Sequence, residues 1–164
     1  MNPRRRHAPF AFLIAAQLAL ASGKSYMDLV GELFGSVESP SLIRDFCATR
    51  SPGTASENAR LYDEWRSRHL DLLEAVAIQV AHADVRLAHQ NPPADAESFA
   101  QIRSNMKAKI EESMRQKSPE WIVQFCSTYP KFIEKKDEEA KTSISQLLSI
   151  VEKADKDLVS REQT

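Results

Sequence analysis

SPSLIRDFCAT, residues 39–49, and SPEWIVQFCST, residues 118–128, are nearly one phrase written twice. Ser39/Ser118, Pro40/Pro119, Ile43/Ile122, Phe46/Phe125, Cys47/Cys126 and Thr49/Thr128 are identical, and these are the chain's only two cysteines. Each phrase reads as a short helix. The serine is placed to cap the first turn with its hydroxyl, and proline fits the next position, where its missing N–H is not needed. Isoleucine, phenylalanine and cysteine then fall at i, i+3 and i+4, on one face.

The likeness extends outward. Residues 24–49 and 103–128 share nine identities in 26 positions, including Ser25/Ser104, Met27/Met106 and Glu32/Glu111. A repeat of this period implies a duplicated structural unit. The flanking sequence fits a medium, a short and a long helix in each copy. In the first copy the medium helix spans 24–35, with Met27, Val30, Leu33 and Phe34 on one side. A capping box at Thr54 and Glu57 then starts a long helix over 56–90, ended by Asn91-Pro92-Pro93. Its apolar stripe is Tyr62, His69, Leu73, Val76, Val80, Ala83 and Leu87. LLEAVAIQVAHA (72–83) is apolar nearly all round, which predicts a central helix with neighbours on two faces.

In the second copy the medium helix covers 95–116, the short helix starts at Ser118-Pro119 and breaks at Tyr129-Pro130, and the long helix covers 132–160. Ala140, Ile144, Leu147, Val151, Ala154 and Leu158 form the last stripe, in heptad-like alternation. The expected fold is all-α: a helical bundle of about six helices, built from repeat unit 22–91 and repeat unit 92–164 in one domain and packed about a pseudo-twofold axis.

The first 21 residues stand apart. Arg4, Arg5 and Arg6 precede an apolar run from Phe10 to Ala21, which closes in the small residues Ala19 and Ala21. That layout predicts a signal peptide cleaved after Ala21. Twelve helical residues reach about 18 Å, short of the roughly 30 Å of membrane hydrocarbon. The mature chain, 22–164, holds no second long apolar run and so no expected transmembrane segment. An exported chain, periplasmic or extracellular, meets an oxidising compartment. Two equivalent positions related by a twofold meet only near the axis, so Cys47 and Cys126 are expected to form one disulfide that staples the short helices.

Composition excludes several functions. Without the three leader arginines, 19 basic residues face 23 acidic ones, both scattered, so no basic stripe points to nucleic acid and no Lys/Arg block points to anionic lipid. His82 and His89 lie seven apart, too far to share one ion, and no histidine pair has the i, i+4 spacing of a helical metal site. No phosphate-binding glycine loop, nucleophile elbow or Cys-x-x-Cys is present. No cofactor and no metal is expected, and the balance leans away from an enzyme.

What remains is binding. Tyr62, Trp65, Arg66, Arg68 and His69 collect aromatic and guanidinium groups of the kind that dominate protein interfaces. They are the candidate patch for an unidentified protein or cell-envelope component. The competing reading buries Trp65 as a core cap and hydrogen-bonds His69 to a neighbour. A second function class is a carrier of an apolar small molecule or lipid in a cleft between the two units, lined by Met27, Met106 and Met114. The sequence sets no oligomeric state.

Overall fold

A computed structural model of the chain describes residues 24–89 and 98–162. The expected signal peptide, the Asn91-Pro92-Pro93 helix stop and the start of the next helix near residue 95 lie outside the described residues. Those described are almost entirely helical, with no strand among them. The helices are α1 (Tyr26–Arg50), α2 (Pro52–Arg68), α3 (Leu70–His89), α4 (Phe99–Met114), α5 (Pro119–Ser127), α6 (Tyr129–Glu139) and α7 (Ser145–Glu162). A single π-helical turn, Ala140–Ile144, joins the last two into one run. Counted that way, the described residues form six helices, an all-α bundle.

The second half follows its sequence pattern. Ser118 Oγ accepts from the Trp121 amide and caps α5, and Pro130 sits in the first turn of α6. The first half does not. Ser39 and Pro40 do not start a helix; they lie inside α1, which runs on through the proline. Proline leaves the carbonyl four residues back without its helical donor. Ser39 Oγ instead donates to the Ser36 carbonyl at 3.2 Å, and the buried Tyr129 hydroxyl donates to the Pro40 carbonyl at 2.9 Å. The first capping box also moves. It forms at Ser25 and Asp28, while Thr54 lies within α2 and its hydroxyl donates back to the Ser51 carbonyl. Proline at the first position of α2 starts that helix earlier than the Thr54 reading required.

The long helix expected over 56–90 is bent rather than continuous. His69 separates α2 from α3 with φ −118° and ψ 24°, yet the His69 amide still reaches the Trp65 carbonyl at 3.2 Å. The units therefore read long–long in the first half and medium–short–long in the second.

The helix at the centre is α1. It packs against α2, α3, α4, α5, α6 and α7, and buries residues all round, from Leu29, Val30 and Leu33 to Leu42, Phe46 and Cys47. This corrects the expectation that α3 would be the hub. Three apolar clusters lie along α1. The largest joins Leu29, Val30, Leu33, Val37, Val76, Ala83, Phe99, Ile144, Leu148 and Val151. The second surrounds Phe46, Cys47 and Cys126. The third holds Trp65, Tyr129 and Ile133. The two cysteine sulfurs lie 2.12 Å apart, at disulfide distance, with both residues fully buried. Asn58, 1% exposed, donates to the Cys126 carbonyl at 3.3 Å and ties α2 to this link. No helix among the described residues is long and apolar enough to cross a membrane.

Candidate functional site

The aromatic–arginine patch divides on folding. Trp65 is fully buried and packs with Tyr129 and Ile133; its indole N–H has no hydrogen-bond partner among the described residues. His69 is 9% exposed, with its ring 5.6 Å from the indole. Tyr62 is half-buried and covered by the Arg44 guanidinium, 4.2 Å from the ring centroid. Arg66 and Arg68 are exposed. Helix periodicity explains the division: Trp65, His69 and Leu73 lie on the core side of the α2–α3 run, and Arg66 and Arg68 beside it.

His69 and Arg68 belong to a clasp. His69 Nε2 meets Asp137 Oδ1 at 2.8 Å, Arg68 Nε donates to the same oxygen at 3.0 Å, and Lys141 Nζ takes the other at 2.6 Å. Hydrogen bonds from Lys141, then His69 and Arg68, hold the Asp137 carboxyl well below the ordinary carboxylate range. A second clasp lies along α3. His82 Nδ1 meets Asp155 Oδ2 at 2.8 Å, and Arg86 Nη2 donates to Oδ1 at 2.9 Å. Burial alone would raise the Asp155 carboxyl, but the bonds from Arg86 and His82 outweigh it and hold it down. Both clasps join the α2–α3 run to the α6–α7 run. Nothing in the residue pattern marks Asp137 and Asp155 as partners, because each looks like one more charge on a solvated helix.

A carboxylate-oriented imidazole resembles part of a catalytic dyad. It becomes a nucleophile's base only with a hydroxyl or thiol in reach. Among the described residues, no side-chain hydroxyl is bonded to His69 or His82, and both cysteine sulfurs face each other. No group of three or more metal-ligating side chains is found among the described residues.

One groove has the size and lining of a small-molecule site. It runs between the start of α1 and the outer side of α7 and encloses about 710 Å3, within the roughly 300–1,000 Å3 range of ligand pockets. Tyr26, Ile150, Ala154 and Leu158 give it an apolar floor, and Lys24, Lys153 and Arg161 give it a cationic rim, with Asp157 as the acid among them. Lys24 is paired with Glu32. Lys153 and Arg161 have no ion-pair partner among the described residues. Tyr26 closes the inner wall. Its hydroxyl lies 3.4 Å from the Gln79 carbonyl, and burial, then the nearby Asp155 carboxylate, pushes its pKa up to about 12.

The π turn accounts for this lining. An unbroken α-helix from Tyr129 would turn Leu147, Val151, Ala154 and Leu158 inward, as the heptad pattern predicts. A π turn spends one extra residue per turn and rotates the helix beyond it. Ser145 Oγ takes up the freed Ala140 carbonyl at 2.5 Å. The buried positions become Ile144, Leu148, Val151 and Asp155, while Ala154 and Leu158 emerge onto the groove. The methionines do not line it. Met27 packs on the large cluster and Met114 on the cysteine cluster.

No protein-family model, curated protein or solved structure matches the chain.

Proposed function

We propose that the chain is an exported, non-enzymatic binding protein of the cell envelope whose ligand is an anionic amphiphile seated in the α1–α7 groove. In this reading residues 1–21 are a signal peptide and the mature chain works in the periplasm. The buried cysteine pair suits an oxidising compartment. The two halves are a duplicated unit, and the groove opens on the seam where the start of one meets the end of the other. An envelope lipid with one acyl chain and a carboxylate or phosphate head matches the lining: the chain covers Ile150, Ala154 and Leu158, and the head takes Lys153 and Arg161. The observation that carries the proposal is the emergence of Ala154 and Leu158 from the predicted core stripe onto an open, cation-rimmed surface. In this reading the contact surface is the groove and not the Tyr62–His69 patch, of which Trp65 and His69 are buried and Tyr62 is half-buried.

The test is binding of a fluorescent fatty acid and of lysophosphatidylglycerol to the mature, disulfide-intact chain. Binding should weaken at least tenfold in Leu158→Asp and in Lys153→Glu/Arg161→Glu. Lys153→Glu/Arg161→Glu should keep the parent melting temperature, because both side chains are exposed; Leu158 is partly buried, so its variant is compared at a temperature where its own melting curve shows it folded. Equal binding by parent and variants would remove the groove as the site.

A further inference from the structure

The outer face of α3 is apolar and, among the described residues, uncovered. Leu70, Ile78 and Val85 are 47%, 54% and 56% exposed. Ala77, Ala81 and Ala88 are exposed on the same side. The spacing places all six opposite the buried line Val76, Gln79 and Ala83, which packs towards α1 and α7. Glu74 is the one charge within the face, and Asp71, His82, Asp84 and His89 border it. The all-round hydrophobicity of 72–83 predicted neighbours on two sides, and the fold supplies them on one.

We propose that this face pairs with α3 of a second copy of the chain, antiparallel, about a twofold axis near residues 79 and 80. A twofold interface must be complementary to itself, and this one is. Antiparallel register sets Leu70 against Ala88, Ile78 against Ala81, and Val85 against the aliphatic stem of Glu74, so each large side chain meets a smaller or flexible one. The border groups are also complementary, with the Asp71 carboxylate of one copy beside the His89 imidazole of the other. A parallel pair would set Asp71 on Asp71 and Ile78 on Ile78. The alanines allow the helices to approach closely. A stripe of 19 residues is about 28 Å long, and at a helix width of about 10 Å it covers roughly 300 Å2 per copy. That is the size of a typical monomer's largest apolar patch and well below the roughly 800 Å2 per partner of a stable complex. The dimer is accordingly weak and forms only at high protein concentration.

Sedimentation equilibrium of the disulfide-intact chain, from about 10 to about 500 μM to bracket an interface of this size, should show monomer giving way to dimer. Ile78→Glu should abolish the dimer and leave the circular dichroism and melting temperature unchanged. Asp71→Lys should weaken dimerisation several-fold, and adding His89→Glu should restore it. A parent chain that stays monomeric throughout, or an Ile78→Glu chain that dimerises like the parent, overturns the proposal. So does a monomer that binds phosphatidylglycerol vesicles through Ile78, which would assign the face to lipid. The groove variant Leu158→Asp should dimerise normally, which keeps this proposal separable from the one above.

Discussion

Opening the Cys47–Cys126 link isolates one contribution to stability. The bond spans 79 residues. Closing a loop of about 80 residues lowers the entropy of the unfolded chain by an amount worth about 4.5 kcal/mol at 25 °C. Engineered links often return less, so about 3–4 kcal/mol is the working figure. With roughly 2.1 cal/mol/K of unfolding entropy per residue, some 140 residues give about 0.3 kcal/mol per degree. The melting temperature should fall by about 10–13 °C.

The choice of perturbation matters because both cysteines are fully buried among Phe46, Phe125, Ile43, Ile110, Met114 and Ile122. Cys47→Ala with Cys126→Ala would cut the link and also hollow the cluster, which adds about 1 kcal/mol per deleted sulfur. Reduction of the parent chain keeps both sulfurs in place and removes only the link. Thermal unfolding followed at 222 nm, with and without a phosphine reductant, therefore reads the chain-entropy effect alone. The alanine pair reads the same effect plus the cavities and should melt lower still. Helix content before melting should be unchanged, since the Leu29–Val151 and Trp65–Tyr129 clusters do not use the link. A reduced chain melting within about 3 °C of the oxidised one would refute the reasoning, as would an intact mass carrying two free thiols.

Other perturbations address the clasps and the π turn. Asp155→Ala removes the buried carboxylate that meets both Arg86 and His82 and should destabilise by about 3 kcal/mol in urea unfolding. Asp137 is a carboxyl whose pKa falls on folding, so its stabilisation is complete above the unfolded value near 3.9 and is lost as pH drops through the lower folded value; Asp137→Asn should flatten the loss of stability below about pH 4. Tyr129→Phe removes the hydroxyl that donates to the Pro40 carbonyl and should cost about 1 kcal/mol by denaturant titration, with no change in helix content. Deleting Thr142 should convert the π turn to α-helix, turn Leu158 inward and Asp155 outward, and abolish both amphiphile binding and the His82–Asp155 hydrogen bond, a loss to be followed by NMR.

Much of the bundle was legible because its signals are local. The Ser118 cap, the break at Tyr129-Pro130 and the stripe Val76–Ala83 depend only on neighbours in the chain. The pairing of the cysteines followed from an internal likeness. The errors share a different cause. Ser39-Pro40 carries the same start signal as Ser118-Pro119, yet a tyrosine 89 residues away donates to the Pro40 carbonyl in α1. Trp65 read either as an interface anchor or as a core cap, and Tyr129 and Ile133, which close over it, make it the cap. Asp137 and Asp155 gained meaning only from histidines 68 and 73 residues earlier. Propensity cannot see partners at such separations, and each misreading was overruled by one.

The π turn shows how far one local irregularity can reach. It inserts a residue's worth of rotation between α6 and α7 and has two consequences on opposite sides of the same helix. On the inner side it brings Asp155 to the position where Ala154 would have packed, and a buried carboxylate there must be met by donors, which α3 supplies as His82 and Arg86. On the outer side it leaves Ala154 and Leu158 partly exposed in the groove beside Lys153 and Arg161, where an apolar strip under a cationic rim is costly to leave facing water. A helix optimised for stability alone would keep the heptad stripe inside and the acid outside. π turns of this kind are frequent at functional sites. The exchange leaves a polar group in the interior and an apolar one at the rim, and the inner cost is met by the clasp. The outer cost is met by no side chain among the described residues, and that asymmetry makes the groove the place to look for a ligand.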